Sequence, residues 1–589
     1  MQNPTPVRGA ARELLTQLDP EQVLTDGPGY QQSTRLWNGA VRHRPALIVR
    51  PRTPAQVQAA VLAARGNGLP LSVRGGGHDW AGRSLSPGGL VVDLSSMRQV
   101  VIHPRRRTAI VQGGATAGDV VTTTAPYGLC PATGTVAGVG MTGLTLAGGY
   151  GPLNGRAGLA LDNLLAADVV LADGRLVTAD PDREPELYWA LRGGGGNFGA
   201  VTSLRIRLHP VPRLMAALIT YPLPRAARVW ERLNAFLAAA PDELTVQSGL
   251  VSGPDGSPAL FLAPVWSGST DHGEAAISPL QRLGSPLSTQ TAPRPLAQML
   301  RLNEQWAPAG RHYAIAPRTL TRFTPGATAG LAEAAATRTS PLTGIAVHHF
   351  HGAATRVPLE STAFGLRHDH FVVEIVAVWA PGDRRASHHR AWADATSAAL
   401  APHALPGGYA QLLGPDAHDQ AAHAYGPHTG RLLAAKKHYD PDRVFAPHSA
   451  AHHRVRHTRP ARHSVGPWLE TGLRRALGCG GKPCTMPAGH TAPERCPWTP
   501  MDSLTHETHE PTGRNRHDRT DTGRPGRHPA HRVHGRQSNP GIPGEPPRSG
   551  TGGLGHRPAL RLGQRRTGTP GRHPRPATTG TTALAGAAR

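Results

Sequence analysis

The segment 73–84, VRGGGHDWAGRS, places three successive glycines and a histidine directly after a predicted strand. Glycines let the backbone approach a ligand closely and turn several N–H groups toward one point, which suits a pyrophosphate. The spacing G-x-G-x-x-G followed by a helix is absent from it, which disfavours a Rossmann nucleotide fold. Taken alone, the segment is also compatible with a tight turn that carries a surface His78.

Two more glycine-rich segments follow in the chain. They read GTVAGVGMTGLTLAGGYG at 134–151, where seven of 18 positions are glycine, and RGGGGNFG at 192–199. Glycine is favoured where the backbone itself must contact a ligand. The repetition favours ligand contact over a series of unrelated tight turns.

A carboxylate within a strongly apolar run lies much later, in HFVVEIVAVWA at 370–380. Glu374 is flanked by valines and an isoleucine on a predicted strand, and a carboxylate there is costly to desolvate without a partner or a function. Period-2 alternation places it on the face of His370 and Val376. We expect burial to raise its pKa toward a working pH; the alternative is that this face is solvated.

Histidines and cysteines do not form a metal-ligating pattern in the sequence. His348, His349 and His351 alternate on a strand beside a loop, with no cysteine or carboxylate at ligand spacing. The pair Cys479 and Cys484 does not match a zinc finger or ribbon. We therefore predict no metal site.

Two kinds of domain are expected to position these residues, in an α+β fold. From 45 to 210, short apolar runs alternate with glycine-rich turns and helical stretches, and 53–68 predicts a helix with Thr53 as its N-cap. From 211 to 400, amphipathic helices alternate with longer strands, which indicates a largely antiparallel sheet backed by helices. A last helix before 445 is expected to stop at Asp440-Pro441.

Charge is distributed unevenly along the 589 residues, whose formal net charge is +24. Residues 456–589 hold 22 Lys and Arg against eight Asp and Glu, a net charge of +14. This tail is polar, broken by Pro and Gly, and without hydrophobic periodicity, so we predict that it is disordered. Either it binds nucleic acid or anionic surfaces, or it is a nonfunctional extension or a translated shifted frame.

The sequence has no expected membrane segment. Its N-terminus lacks the apolar run of a signal peptide, and no stretch approaches the length that spans a bilayer. We therefore expect a cytoplasmic location. Only three of the 63 basic residues are lysine, which is typical of GC-rich coding and weakens a nucleic-acid interpretation of the charge.

Together, the motifs resemble a known family of flavoenzymes. From YQQSTRLWN, which begins at Tyr30, to KKHYDPDRVF, which ends at Phe445, the chain is similar to berberine-bridge-enzyme-like oxidoreductases. That family carries a two-lobed FAD-binding domain of the p-cresol methylhydroxylase type. The resemblance implies an FAD-binding domain at 1–210, a substrate domain at 211–405, and a segment at 406–455 that returns to the FAD domain.

The resemblance also implies which residues contact FAD. His78 matches the histidine that the family bonds covalently to the C8-methyl group of the flavin ring. The other matched positions are Arg74, Gly75, Gly76, Gly77, Gly82 and Ser84 in the pyrophosphate loop; Val139, Gly140, Thr142, Gly143, Gly148 and Gly149 in a second loop; and Asp162, Asn163, Gly199, Val201 and Gln411.

Some members carry a second flavin link through a cysteine, at the position of Val136 here. Cys130 lies six residues too early, so we predict a single bond through His78 and an ordinary small buried Cys130. Val139 matches a position that controls oxygen access, where valine accompanies oxidase behaviour.

The resemblance implies two candidates for the base. Glu374 matches the Glu or Gln that faces the flavin, and Tyr409 matches a tyrosine that serves as base or proton relay. Three positions depart from the family pattern, namely Gln411 for Asn, Ala147 for Gly, and Leu144 where some members have His.

We therefore predict an FAD-dependent oxidase that removes hydride from a hydroxyl-bearing small molecule, sugar or secondary metabolite and is reoxidised by oxygen. The alternative is a catalytically inactive flavin-binding protein whose basic tail binds nucleic acid or anionic surfaces. Neither a metal nor a membrane is an expected partner.

Overall fold

The computed structural model describes residues 4–211, 213–253 and 255–446. The predicted disordered tail at 456–589, its three cysteines and its proposed anionic partners lie outside the described residues. The described residues contain α-helices and three β-sheets, which confirms the predicted α+β class.

The strands are β1 (Val23–Leu24), β2 (Leu47–Val49), β3 (Leu71–Arg74), β4 (Leu90–Asp93), β5 (Val100–His103), β6 (Thr108–Gln112), β7 (Leu129–Pro131), β8 (Leu164–Val170), β9 (Leu176–Ala179), β10 (Ala200–Pro210), β11 (Leu214–Pro222), β12 (Leu244–Ser252), β13 (Pro258–Trp266), β14 (Ser288–Arg294), β15 (His312–Ile315), β16 (Arg318–Leu320), β17 (Gly344–Phe350) and β18 (His370–Trp379). The helices are α1 (Pro4–Leu14), α2 (Gly27–Thr34), α3 (Pro54–Gly66), α4 (Ala117–Thr124), α5 (Met141–Ala147), α6 (Asn154–Ala157), α7 (Pro185–Leu191), α8 (Ala226–Leu237), α9 (Gly273–Gln281), α10 (Leu296–Trp306), α11 (Pro325–Ala336), α12 (Ala386–Leu400), α13 (His418–Ala421) and α14 (Thr429–Tyr439).

The first sheet has the order β1-β2-β4-β3, and its last three strands are parallel. Helix α3 connects β2 to β3 and packs on the sheet through Val57, Ala60 and Val61. It begins where predicted, because the Thr53 side chain accepts the N–H of Gln56. The first glycine segment follows strand β3 directly, so it begins at the end of the last strand in the order of this sheet.

The second sheet is antiparallel, with the order β5-β6-β10-β8-β9 and with β7 paired to β10. Helices α4, α5 and α7 bury apolar residues in one core with this sheet. The seven residues of α5 lie inside the second glycine segment, which was predicted as a loop. Thr142 and Gly143 are therefore on a helix.

The third sheet has the order β14-β11-β13-β12-β17-β18-β15, with β16 paired to β18, and every pairing is antiparallel. Helices α8, α9, α11 and α12 bury one face of it in a core that includes Trp230, Ile375 and Trp392. This confirms the predicted sheet backed by helices. The expected domain boundary at 210 falls between β10 of the second sheet and β11 of the third.

The chain returns to the first sheet after α14. This helix ends at Tyr439, before Asp440-Pro441 as predicted, and Lys436 forms an ion pair with Asp440. The N–H of Leu71 then donates to Val444 O at 3.0 Å, so residues near 445 extend the first sheet beside β3. Across the described part of the chain, no helix combines the length and apolarity required to cross a bilayer.

Candidate active site

A cavity of about 750 Å³ lies between the glycine-rich segments and the third sheet. We call its first side the glycine wall, formed by residues 75–84, 134–149 and 195–201, and its second side the sheet floor, formed by the cavity-facing residues of β11 to β18. The wall is largely backbone, whereas the floor consists of side chains from several strands. Most of the predicted cofactor residues and both predicted catalytic residues meet here.

The two main glycine segments touch each other through their backbones. A Cβ atom on Gly76 would lie 2.4 Å from Gly140 N, and one on Gly140 would lie 2.5 Å from Gly76 N. Neither position therefore accepts a side chain without displacement of the other backbone. This contact holds the two segments together at the cavity.

Two hydroxyl groups on the glycine wall have no hydrogen-bond partner among the described residues. These are Ser84 Oγ and Thr142 Oγ1, and both side chains are buried at the cavity. A buried hydroxyl without a partner costs free energy. Both groups are therefore available to a bound ligand, and the backbone N–H groups beside them suit the phosphates of FAD.

His78 faces the cavity in a fixed orientation. Its ring stacks on Trp37 with 4.7 Å between centroids, and Trp37 stacks on Tyr313 at 3.7 Å. Burial lowers the pKa of His78 to about 4, although a hydrogen bond that the ring donates to its own backbone opposes the shift. The imidazole is therefore neutral at physiological pH and keeps a free nitrogen lone pair.

Glu374 extends from β18 into the cavity, where its side chain is 18% exposed. It accepts a short hydrogen bond from the hydroxyl of Tyr150, the residue that follows the glycines of the second segment. On its other side, His348 Nε2 of the adjacent strand β17 lies 3.4 Å from Glu374 Oε1. The solvated-face alternative for Glu374 is therefore wrong.

The electrostatics of Glu374 differ from the expectation. Burial raises the pKa of this carboxyl group, but the charge and hydrogen bond of His348 and the hydrogen bond of Tyr150 outweigh it, and the net pKa is lowered. The expected raised pKa is wrong because the sequence did not show these two partners. Glu374 is thus ionised at neutral pH and able to accept a proton.

Tyr409 also lines the cavity, but its surroundings differ from those of Glu374. Its hydroxyl accepts the N–H of Gly149 at 3.0 Å, and its ring contacts Tyr150 edge-on at 5.1 Å. Burial raises the pKa of Tyr409, and the nearby Glu374 carboxylate adds to the increase, against the effect of the Gly149 N–H. This phenol therefore stays protonated and holds the second glycine segment in place.

Most of the predicted site residues come together in this cavity. The predicted residues that line it are Gly75, Gly76, Gly77, His78, Ser84, Val139, Gly140, Thr142, Gly143, Gly149, Gly199, Val201, Glu374, Tyr409 and Gln411. The predicted residues outside its lining are Arg74, Gly82, Gly148, Asp162 and Asn163.

The two predicted glycines outside the lining, Gly148 and Gly82, make structural contacts next to the cavity. Gly148 packs against the Tyr409 ring, because a Cβ there would lie 2.4 Å from the tyrosine oxygen. Gly82 has a φ of +79° and accepts a hydrogen bond at its carbonyl oxygen from His43 at 3.0 Å. Arg74 donates to Asp93 at 2.9 Å and lines a separate pocket of about 180 Å³ behind Gly75 and Gly76.

Asp162 and Asn163 make structural contacts away from the cavity. Asp162 forms a two-pronged ion pair with Arg367, with distances of 2.8 and 3.1 Å, and the two side chains are 9% and 2% exposed. Asn163 donates to the carbonyl oxygens of Ala157 and Leu159 and accepts from His209. A flavin contact for either residue stays a prediction.

Three functional candidates were missed or misinterpreted from the sequence. Tyr150 was part of the glycine segment but received no role, His348 was considered only as a metal ligand, and Trp37 was not considered. Had the pairing of β17 with β18 been known, the alternation of side chains along both strands would have placed His348 on the same face of the sheet as Glu374. Within the described ranges, no group of three His, Cys, Asp or Glu could hold a metal ion.

Known proteins resemble this chain in sequence and in structure. The model of a family described as "FAD binding domain" matches residues 45–180. The FAD-linked oxidoreductase aurO of Gibberella zeae is 31% identical over 435 residues, which cover 71% of this chain and 83% of that protein. The (R)-6-hydroxynicotine oxidase of Paenarthrobacter nicotinovorans is 34% identical over 289 residues, which cover 48% of this chain and 63% of that protein.

A solved structure of berberine bridge enzyme, a single-residue variant in complex with (S)-reticuline, shares the fold, with a TM-score of 0.68. It is 18% identical, and the match covers 76% of this chain and 98% of that one. The shared fold, the matched FAD-binding domain and the identity to aurO agree with the resemblance drawn from the motifs. The chain therefore belongs to the berberine-bridge-enzyme-like FAD-linked oxidoreductases of the p-cresol methylhydroxylase type.

Proposed function

We propose that this protein is an FAD-dependent oxidase that converts a CH–OH group of an uncharged small molecule into a carbonyl group. The observation that carries the proposal is the placement of Glu374, between Tyr150 and His348, on the sheet floor opposite the glycine wall. An ionised carboxylate is thereby held in the cavity that would also contain the cofactor.

The residues of the glycine wall fit FAD. Backbone N–H groups at Gly75, Gly76 and Gly140 would face the pyrophosphate, and the free hydroxyls of Ser84 and Thr142 would donate to it or to the ribityl chain. Neutral His78 is oriented by Trp37 for a single covalent bond to the flavin ring. The position of a second link is occupied by Val136, which cannot form one.

Glu374 is the proposed catalytic base. Its carboxylate takes the proton of the substrate hydroxyl. A hydride leaves the carbon that bears this hydroxyl, and the carbon–oxygen double bond forms. FAD bound at the wall would supply the hydride acceptor, and a covalent histidyl link would make it a stronger oxidant. Tyr409 does not compete for the proton, because its phenol remains protonated.

Oxygen is the proposed final electron acceptor, with hydrogen peroxide as its product. Val139 supports this step, since it lines the cavity at the position where valine accompanies oxidase behaviour in the family. The relative from Paenarthrobacter nicotinovorans is also named an oxidase. Gln411 lines the cavity as well, so the longer amide would take the place of the family's Asn there.

The test is a single-turnover experiment on the purified yellow protein. It is mixed without oxygen with a panel of neutral alcohols and sugars, and bleaching of the flavin absorbance is followed. We expect at least one alcohol to bleach it, and admission of air to restore the colour with one hydrogen peroxide per flavin. Bleaching that air does not reverse would make the protein a dehydrogenase, and no bleaching by any member would reject the proposed reaction.

A further inference from the structure

A row of directly opposed residues crosses the sheet floor away from Glu374. Successive residues of the row lie directly opposite each other on adjacent, hydrogen-bonded strands. In order from the base, the row reads Glu374, Ala346, Gly249, Phe261, Thr220 and Ser288. It therefore runs from β18 through β17, β12, β13 and β11 to the edge strand β14.

The dimensions of the row follow from strand spacing. Adjacent strands lie about 4.8 Å apart, so Phe261 is roughly 14 Å from Glu374 and Ser288 is roughly 24 Å from it. Ala346, Phe261, Thr220 and Ser288 all line the same cavity as Glu374. The floor is therefore much longer than a single six-membered ring.

The side chains of the row change character with distance from the base. Ala346 carries only a methyl group beside Glu374. The place that a side chain of Gly249 would take is filled by the Phe261 ring, whose Cε1 atom lies 2.8 Å from where the Cβ would be, and by Ile345 O, so the aromatic ring of Phe261 covers Gly249. At the far end the hydroxyls of Thr220 and Ser288 are 2.7 Å apart and hydrogen-bonded to each other.

The surroundings of the row are mostly apolar and carry few charges. Val251, Ala263, Val376 and Val378 line the cavity beside it, together with two amides, Gln247 opposite His348 and Gln290 near Ser288. Among the described residues that line the cavity there is no lysine or arginine. A sugar ring with a hydroxyl on most carbons would leave several of them unpaired here, and an anionic substrate would find no counter-charge.

We infer that this row binds an uncharged, elongated, fused-ring aromatic alcohol. Its reacting hydroxyl lies at Glu374, its first ring lies over Ala346, and its distal ring stacks on Phe261, whose own ring covers Gly249. A polar substituent at the far end reaches the hydroxyls of Thr220 and Ser288. This substrate class rests on the proposed function of Glu374, but its binding can be measured without turnover.

The test compares binding of benzyl alcohol, 2-naphthalenemethanol and 2-anthracenemethanol to the holoenzyme. Binding is read from the shift that each alcohol causes in the oxidised flavin spectrum, in a Glu374→Gln background that slows turnover. Each added ring buries apolar area, and we expect Kd to fall about tenfold per ring. Cellobiose and xylotriose are expected to cause no saturable shift.

Phe261→Ala isolates the distal stacking contact. It should raise the Kd of the three-ring alcohol about tenfold, the upper range for an aromatic pair, and leave the Kd of benzyl alcohol unchanged. Phe236→Ala on α8, whose side chain lies outside the cavity lining, is the matched control and should change neither value. If Phe261→Ala does not fold, Phe261→Leu keeps the volume and removes the aromatic ring.

Three results would overturn the inference: equal Kd values along the series, tighter binding of an oligosaccharide, or equal weakening of all three alcohols by Phe261→Ala. None of them bears on Glu374 as the base. Conversely, unchanged flavin reduction in Glu374→Gln would reject the proposed base and leave the binding series as it is. The two failures are therefore distinguishable.

Discussion

The glycine wall and the sheet floor bound one cavity but are made in opposite ways. The wall comes from three continuous segments, and its contacts to a ligand are mainly backbone groups. The floor comes from single side chains on strands that are far apart in sequence, such as Thr220 and Glu374. A wall of backbone suits a ligand that does not vary, whereas a floor of side chains can change its substrate by single substitutions.

The largest expected effect is loss of the proposed covalent flavin bond at the glycine wall, with the sheet floor unchanged. His78→Ala removes the proposed point of attachment, so flavin that remains with acid-precipitated protein should fall from near one per chain to none. Exposed His103→Ala on β5 is the control and should keep the bound colour. Covalent flavin in His78→Ala would show that another residue forms the bond.

The next largest effect is loss of the proposed base on the sheet floor, with the glycine wall unchanged. Glu374→Gln keeps the shape of the side chain but removes the base, and the rate of flavin reduction should fall by about 10²- to 10⁴-fold. Flavin content is expected to be unchanged. Glu333→Gln on α11, which is exposed, is the matched control and should reduce at the wild-type rate. Equal rates in both variants would remove the carboxylate from the mechanism.

Asp162 tests whether a residue outside the cavity contributes to the wall. Asp162→Asn leaves the buried guanidinium of Arg367 without its counter-charge, so the free energy of unfolding should fall by about 3–5 kcal/mol in a denaturant titration. Flavin content of the folded protein should stay at the wild-type level. The opposite pattern, with unchanged stability and lost flavin, would support the direct flavin contact that the resemblance implies.

Gly76→Ala probes the close backbone contact of the wall. The added methyl group meets Gly140 N, and we expect a loss of about 1–3 kcal/mol of stability together with weaker flavin retention before the covalent bond forms. Gly66→Ala at the end of α3 meets no atom within 4 Å and serves as the control. Equal stability of the two variants would mean that the two segments separate easily.

The smallest expected effect is a shift of the pH profile at the floor. His348 lowers the pKa of Glu374, so the carboxylate stays ionised and the rate of flavin reduction is maintained into the acidic range before it falls. In His348→Gln this stabilisation of the charge is weaker, and the acidic limb should move to higher pH. Tyr150, on the other side of the carboxylate, still donates its hydrogen bond. An acidic limb at the wild-type position would show that His348 does not act on Glu374.

The difference between wall and floor also explains what sequence reasoning could predict. Gly75 to His78 and Gly140 to Gly149 are close in sequence, and their motif is recognisable because the backbone must take a particular path. The helix from Pro54 and the strand of Glu374 were predicted from an N-cap and from period-2 alternation. Their existence depends on local pattern.

The partners of Glu374 could not be predicted in this way. Tyr150 reaches it from a segment 224 positions earlier. His348 reaches it only because β17 pairs with β18 in one particular register. The lowered pKa of the carboxyl group depends on both contacts, and the row that leads to Ser288 depends on five strand pairings. Such features follow from tertiary structure alone.

The stack of His78 on Trp37 and Tyr313 joins the N-terminal part of the chain to strand β15 of the third sheet. The indole N–H of Trp37 donates to Ala307 O at 2.8 Å, and Asn38 donates to Tyr313 O at 3.0 Å. During synthesis His78 emerges long before Tyr313, and N-terminal segments begin to fold first. The histidine is therefore held in position only after the third sheet has formed. The proposed covalent bond would then form late and mark those molecules whose folding is complete.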